Sequence, residues 1–217
     1  MKLLDYKKTE KLFKECKIPL IETGVVKNRN DVLSFIKRFG LPVVIKVFSP
    51  SLLHRTEKGL VKICFSREEG VRVFSEMKRK MKEKPGMLVL IQKKGQGVEL
   101  IIGMKRDAVF GPIVMFGLGG VFVEVLEDIS FGIAPLSMKE AGEMIKSVKA
   151  YKILKGCRSS NKQKNEAYKK RINELSDILV KISRFSRKHP EIKAIDMNPI
   201  FFNEKGVFVA DPKLYVE

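Results

Sequence analysis

The chain has 217 residues, of which 44% are hydrophobic, and 43 lysine and arginine residues against 25 acidic ones leave a formal net charge of +18. That length provides for one good hydrophobic core or two small ones, and no apolar run approaches the roughly 18 residues of a membrane-spanning helix. The three cysteines lie far apart and form no CxxC pair, which argues against a disulfide framework and against a zinc site.

The positive charge attracts polyanions such as nucleic acid, nucleotides, coenzyme A or an acidic partner subunit. The basic residues are spread over predicted helix faces, and neither an RNP aromatic pattern nor a zinc-finger spacing accompanies them. We therefore favour a generally basic surface over a nucleic-acid interface. The N-terminal sequence lacks a secretory apolar segment, so we expect a cytoplasmic protein with no membrane contact.

The first ninety or so residues alternate between helix and strand patterns. Apolar spacing and capping residues predict helices over 5–17, from a cap at Asn30 or Asp31 to Gly40, and from a cap at Ser66 to about Lys82. Strands are predicted over 20–26, 42–48, 60–65 and 87–92. Alternation at this short spacing indicates a small α/β layer.

The rest of the chain begins with four strands that have almost no helix between them, over 98–104, 113–116, 121–125 and 131–134. Such short connections favour antiparallel pairing. Helices are predicted over 138–148 and 165–189, and a final hairpin joins strands 192–202 and 207–211. The glycine-rich stretch 110–124 is neither a Walker A loop nor a dinucleotide-binding fingerprint. Its glycines either let backbone approach a ligand or partner or form a tight hairpin, and spacing does not decide between them.

Lys46 lies in an apolar strand that leads into a polar loop carrying His54, one of two histidines in the chain. Lys46 is either an edge-strand lysine with its ammonium group in solvent or a buried cation that holds a phosphate. His54 is either an ordinary loop histidine or a neutral imidazole that accepts a phosphoryl group for a time.

The C-terminal hairpin can hold a metal ion in one of its two possible registers. If Glu204 and Lys205 form a two-residue loop, Asn198 lies opposite Asp211, and Asp196 projects from the same face. These oxygen donors suit Mg²⁺ that is completed by phosphates. A three-residue loop would shift the register by one and separate Asn198 from Asp211. The alternative is a strand entry with a surface aspartate.

Four stretches, 45–59, 110–125, 128–136 and 195–199, resemble the beta subunit of ADP-forming acetate–CoA ligase. The resemblance covers nearly the whole chain, from about Leu12 to Leu214. It implies an α+β fold of the ATP-grasp type, in which two subdomains enclose a nucleotide. The subdomains are expected over about 20–92, with Lys46 and the His54 loop, and over about 93–217 together with the N-terminal helix 1–19.

The reaction that the resemblance implies is acyl-CoA + ADP + phosphate ⇌ carboxylic acid + ATP + CoA. A separate CoA-binding alpha subunit, expected in an α2β2 heterotetramer, would handle acyl-CoA and phosphate. In this chain His54 matches the mobile phosphohistidine and Asp196 the acid that orients it. Asn198 and Asp211 match the Mg²⁺ ligands. The positions that match nucleotide-binding residues are Lys46, Gly59, Gln92, Lys93 and Glu99, of which Gln92 and Lys93 correspond to the adenine hinge.

The chain departs from the family pattern at several positions. Leu60 stands where a second glycine is usual, Glu57 replaces an aspartate, and Gly132 replaces an arginine that would contact phosphate or an interface. The segment 156–159 also differs from the usual pattern and is followed by an unusually basic stretch. Two rival functions remain: a nucleotide-binding regulatory subunit without turnover, and a basic nucleic-acid-binding module.

Overall fold

The computed structural model describes residues 1–50, 59–81, 86–120, 128–155 and 162–217, with side chains described from residue 166 in the last segment. The elements in chain order are β1 (Lys2–Leu3), α1 (Tyr6–Glu15), β2 (Thr23–Val26), α2 (Arg29–Phe39), β3 (Val43–Phe48), β4 (Val61–Cys64), α3 (Arg67–Met81), β5 (Leu88–Lys93), β6 (Val98–Asp107), β7 (Gly111–Leu118), β8 (Ile129–Ile133), α4 (Met138–Ser147), α5 (Tyr151–Leu154), α6 (Lys162–Lys188), β9 (Ile192–Asn203), β10 (Gly206–Val209) and β11 (Pro212–Val216). Two compact units emerge, one of Ile21–Gly95 and one of Met1–Leu20 with Gln96–Glu217.

The unit Ile21–Gly95 contains a four-stranded sheet in the order β2-β5-β3-β4, and all its pairings are antiparallel. The helices α2 and α3 supply Val32, Ile36, Val73 and Met77 to a core shared with the strands. Apolar residues recur three to four positions apart on both helices, which turns one face of each toward this core.

Helix α2 begins earlier than the sequence pattern predicts. Asn28 is the N-cap, and its side chain accepts a hydrogen bond from the Asp31 backbone N–H. Asp31 is the third helical residue, and its carboxylate accepts in return from the N–H of Asn28. The prediction of a cap at Asn30 or Asp31 is therefore wrong, because Asp31 serves as the reciprocal partner in a capping box.

The other unit contains a seven-stranded antiparallel sheet in the order β1-β11-β9-β6-β7-β8, with β10 paired to β9. The antiparallel pairing predicted for β6, β7 and β8 is confirmed. Helices α4 and α6 and the sheet share a core that includes Phe116, Ile145, Ile178 and Phe202. The predicted strand over 121–125 lies outside the described residues, and β1, α5 and β11 were not predicted.

Edge strand β8 carries exposed apolar side chains on the face away from this core. Phe131 is 60% exposed and Ile133 is 53% exposed. Opposite them on β7 lie Met115 and Ile113, which are partly buried. No helix in the described part of the chain is long and apolar enough to cross a membrane.

Arg106 ties β6 to the end of helix α6. Its guanidinium group donates to the carbonyl oxygens of Ile192 at 2.8 Å, His189 at 2.8 Å and Ser186. The last carbonyl groups of a helix have no partner inside the helix and carry partial negative charge. One arginine therefore supplies hydrogen bonds that the C-terminal end of α6 lacks.

We expect Arg106→Met to lower the free energy of unfolding by about 2 kcal/mol, because three carbonyl groups lose charged donors. The neighbouring exposed residue Lys105 supplies the control, because Lys105→Met should change the free energy of unfolding by less than about 0.5 kcal/mol. Urea unfolding followed by circular dichroism measures both. Equal effects of the two substitutions would contradict this role for Arg106.

Candidate functional site

The C-terminal hairpin adopts the two-residue loop. Gly206 pairs with Asn203 and Val209 pairs with Ile200, so the loop consists of Glu204 and Lys205. This is the register that a metal site on the hairpin requires, and the three-residue alternative is wrong.

The same register continues beyond β10. The Ala210 N–H donates to the Pro199 carbonyl at 3.1 Å, and Pro212 pairs with Met197. Between these two pairs, Asn198 lies opposite Asp211. Met197 is fully buried in the core, so its neighbours Asp196 and Asn198 point to the other face of the sheet.

Lys213 belongs to this group, and the sequence prediction missed it. It pairs directly with Asp196 across β9 and β11. Its ammonium group lies 3.0 Å from Asp196 Oδ2 and 3.3 Å from Asp211 Oδ2. The missed signal is alternation: if the strand continues past Asp211, the residue two positions later shares its face.

The donors present fit a hard divalent cation bound by few protein ligands. Asp211 and Asn198 offer a carboxylate and an amide oxygen, and Asp196 offers a second carboxylate. The side chains of Asp211 and Asp196 are 20% and 33% exposed, which leaves an open side for water or phosphate oxygens. Among the described residues no cluster of three or more His, Cys, Asp or Glu side chains occurs that could hold a metal ion. A Mg²⁺ ion completed by phosphates therefore suits this face better than a site built from protein ligands alone.

Lys46 lies in the interior of the other sheet. Its strand β3 is paired on both sides, with β4 and with β5, so the edge-strand alternative is wrong. Lys46 is 6% exposed, and its ammonium group donates to Gln92 Oε1 at 3.2 Å. A buried ammonium group needs such partners because leaving water is costly for a charge.

Gln92 orients Lys46 through a chain of hydrogen bonds. Its Nε2 donates to Thr23 Oγ1 at 2.7 Å, and the Thr23 hydroxyl donates to the Ile21 carbonyl at 2.9 Å. This fixes the Gln92 oxygen toward Lys46. Thr23 is a supporting residue that the sequence prediction missed, since only the β2–β5 register brings it to Gln92.

The other predicted nucleotide-binding residues lie at or near strand ends. Lys93 is exposed, and its backbone N–H donates to the Glu22 carbonyl at 3.0 Å. Gly59 has φ +61°, a left-handed conformation that favours glycine. Glu99 lies on β6 in the other unit, and its carbonyl accepts from the Gly119 N–H at 2.8 Å.

The glycines that follow β7 allow close contact between backbone segments. A Cβ atom at Gly119 would lie 2.8 Å from the Leu100 carbonyl oxygen. A Cβ atom at Gly120 would lie 2.7 Å from Glu99 Oε2. The pair therefore lets the chain lie against the start of β6 beside Glu99.

Two departures from the family pattern are packing residues in this chain. Leu60 is buried in the core of the unit Ile21–Gly95, and its carbonyl accepts from the Val47 N–H at 3.0 Å. A Cβ atom at Gly132 would lie 2.7 Å from both Leu136 Cδ2 and Met144 Sδ. Those two side chains fill the space beside Gly132 on the core side of β8.

His54 and Glu57 lie outside the described residues. The phosphoryl-acceptor role of His54 stays a prediction from the sequence. Cys157 and the rest of the segment 156–159 also lie outside the described residues.

Burial raises the pKa of both described cysteines. Cys16 and Cys64 are free. Burial raises the pKa of Cys64 to about 11, with the Glu69 carboxylate adding to the effect. Burial, and then Glu15, raise the pKa of Cys16 as well. Both shifts favour the protonated thiol over the thiolate that metal binding or nucleophilic chemistry requires.

Comparisons with known proteins agree with this architecture. A family model described as an ATP-grasp domain matches residues 1–216. The chain is 38% identical over 203 residues to the beta subunit of acetate–CoA ligase (ADP-forming) I from Pyrococcus furiosus, covering 91% of this chain and 84% of that one. It is 39% identical over 193 residues to acetate–CoA ligase (ADP-forming) I from Archaeoglobus fulgidus, covering 87% of this chain and 27% of that one. The chain thus spans about a quarter of the longer relative.

A solved structure from Ca. Korarchaeum cryptofilum is also similar, with a TM-score of 0.79 and 36% identity over all of this chain and 93% of that one. That protein is a dinucleotide-forming acetyl-coenzyme A synthetase in complex with coenzyme A and Mg-AMPPCP, its phosphohistidine segment pointing towards the nucleotide-binding site. The chain has two antiparallel α+β units, and both the family model and the relatives match nearly its whole length. The chain belongs to the ATP-grasp domain family and has the α+β ATP-grasp fold.

Proposed function

We propose that this chain is the ATP-grasp subunit of a cytoplasmic ADP-forming acyl-CoA ligase, which works with a CoA-binding alpha subunit in an α2β2 assembly. The overall reaction is acyl-CoA + ADP + phosphate ⇌ carboxylic acid + ATP + CoA. The observation that carries the proposal is the pairing of Asn198 with Asp211 beside Asp196 on one face of a sheet. The names of the relatives support the reaction type.

In this mechanism His54 is the phosphoryl carrier. A ring nitrogen of His54 forms a bond to phosphorus as the bond between that phosphorus and the alpha subunit's histidine nitrogen breaks. An oxygen of the terminal phosphate of ADP then attacks that phosphorus, the N–P bond breaks, and His54 leaves as a neutral imidazole. Such transfer needs positioning and positive charge more than further covalent chemistry. Asp196 orients the imidazole by accepting its other N–H.

Asn198 and Asp211 would hold Mg²⁺, which neutralises charge on the phosphates and orients them. Lys46, held by Gln92, supplies a fixed cation for a phosphate of the nucleotide. Gly59, Lys93 and Glu99 complete the nucleotide site.

The exposed apolar face of β8 favours a contact with a partner subunit. Phe131 pairs with Met115, Met115 with Gly103, and Gly103 with Asp196, so the apolar edge and the carboxylate share a sheet face. Three strand spacings of about 4.8 Å separate Phe131 from Asp196, roughly 14 Å. An exposed apolar patch is typical of a protein–protein contact, and this one would bring the alpha subunit close to Asp196.

We expect His54→Ala, mixed with the alpha subunit, to lower ATP formation from acetyl-CoA, ADP and phosphate by about a thousandfold or more, since the carrier is lost. ADP binding should change by less than about twofold, which a loss of folding would not permit. His189→Ala is the matched control, because His189 is the other histidine of the chain and should leave activity and phosphoryl labelling intact. Full activity of His54→Ala would refute the carrier role. ADP binding without turnover by the unmodified chain and its partner would favour a regulatory subunit.

Asp211→Asn should raise the Mg²⁺ concentration for half-maximal activity by about tenfold, because an amide replaces a charged oxygen ligand. The surface residue Asp177, which forms an ion pair with Lys181, gives the control Asp177→Asn with no change expected. Titration of the ADP-dependent reaction with Mg²⁺ measures this concentration for both variants. The same Mg²⁺ requirement in both variants would remove Asp211 from the metal site.

Lys46→Met should weaken ADP binding by about tenfold, since a buried cation facing a phosphate is lost. Lys62→Met on the neighbouring strand β4 serves as control, because Lys62 forms a surface ion pair with Glu76. Calorimetric titration with Mg-ADP measures both. Unchanged ADP affinity in Lys46→Met would show that the ammonium group serves the fold and not the nucleotide.

A further inference from the structure

Lys213 occupies the position between the two carboxylates that the proposed metal site needs. Its ammonium group contacts both Asp196 and Asp211, and its own side chain is 20% exposed. The metal ligand and the orienting acid are therefore joined by one internal cation. Neither the sequence pattern nor the proposed mechanism assigns this lysine a role.

The contact with Asp211 conflicts with metal binding. Asp211 Oδ2 lies 3.3 Å from the ammonium group, and a divalent cation on that carboxylate would lie beside a like charge. Because the site is partly shielded from water, that repulsion is stronger than on an open surface. The metal ion must therefore displace the ammonium group or bind with reduced affinity.

A nucleotide removes the conflict. Its phosphate oxygens carry negative charge to the metal and accept hydrogen bonds from a displaced ammonium group. The lysine side chain is long and flexible enough to exchange a carboxylate for a phosphate oxygen nearby. Metal and nucleotide would then bind better together than either does alone.

We propose that Lys213 is a built-in counter-ion that holds Asp196 and Asp211 in place of a metal ion and makes tight metal binding depend on the nucleotide. The inference rests on the proposed function, since it takes Asp211 as a metal ligand. Lys213 acts as a positioning residue. The core packing of its neighbours Pro212 and Leu214 is independent of the ammonium group.

The test measures Mn²⁺ binding to the full chain by electron paramagnetic resonance of the free ion, with and without ADP. Without ADP, Lys213→Met should bind Mn²⁺ about tenfold more tightly than the unmodified chain, because the competing charge is gone. Lys213→Arg, which keeps the charge, should bind it weakly. Lys193→Met removes a charge elsewhere on the same sheet, where Lys193 pairs with Glu217, and should behave like the unmodified chain.

The effect of ADP forms the second arm. ADP should tighten Mn²⁺ binding by a larger factor in the unmodified chain than in Lys213→Met, and the reciprocal effect of Mn²⁺ on ADP must agree. Adding Asp211→Asn to Lys213→Met should abolish the tighter Mn²⁺ binding, which would show that the ion binds at Asp211. Thermal unfolding of each variant confirms that it is folded.

The outcomes separate the inference from the proposed function. Equal Mn²⁺ binding by the unmodified chain and Lys213→Met without ADP, or none by either, overturns the counter-ion role even if Mg-ADP binds normally. Absence of Mg-ADP binding by the unmodified chain overturns the proposed function, whereas the metal-only comparison still decides the role of Lys213.

Discussion

The register of strand β9 is the constraint on which the candidate site depends. Met197 on β9 and Leu214 on β11 are fully buried in the core. A slip of one residue by β9 would turn Met197 to the outer face and bring Asp196 into the core, and a slip by β11 would do the same with Leu214 and Lys213. Both exchanges are unfavourable, since apolar burial is lost and charges leave water. Hydrophobic packing on one face of the sheet thus fixes the polar geometry on the other.

Around Lys46, too, apolar packing fixes the strand and a polar contact positions the functional group. Ile45 and Val47 on either side of Lys46 are fully buried, and these side chains fix the strand. The Lys46 ammonium group donates a hydrogen bond to the Gln92 amide oxygen, which helps to fix its position. A buried and positioned ammonium group suits the phosphate-binding role proposed for Lys46.

Local chemistry made part of this structure predictable. The sequence reduced the hairpin to two registers, because only two loop lengths were plausible, and the structure decides between them. Strand β11 was not predicted, although proline is accepted as the first residue of a strand. The Gln92 contact of Lys46 was beyond prediction, since it depends on the pairing of strands 46 residues apart. The role of His54 stays a prediction from the resemblance alone.

The pairing of the first and last strands bears on how this domain is used in larger proteins. Lys2 pairs with Val216, and Leu3 pairs with Tyr215, so both ends of the domain meet at one edge of one sheet. Polypeptide joined at either end would enter and leave at that edge, two strands away from the β9–β6 pairing. Such a placement of the ends suits both a separate subunit and a quarter of a longer chain, and the two archaeal relatives differ in this way.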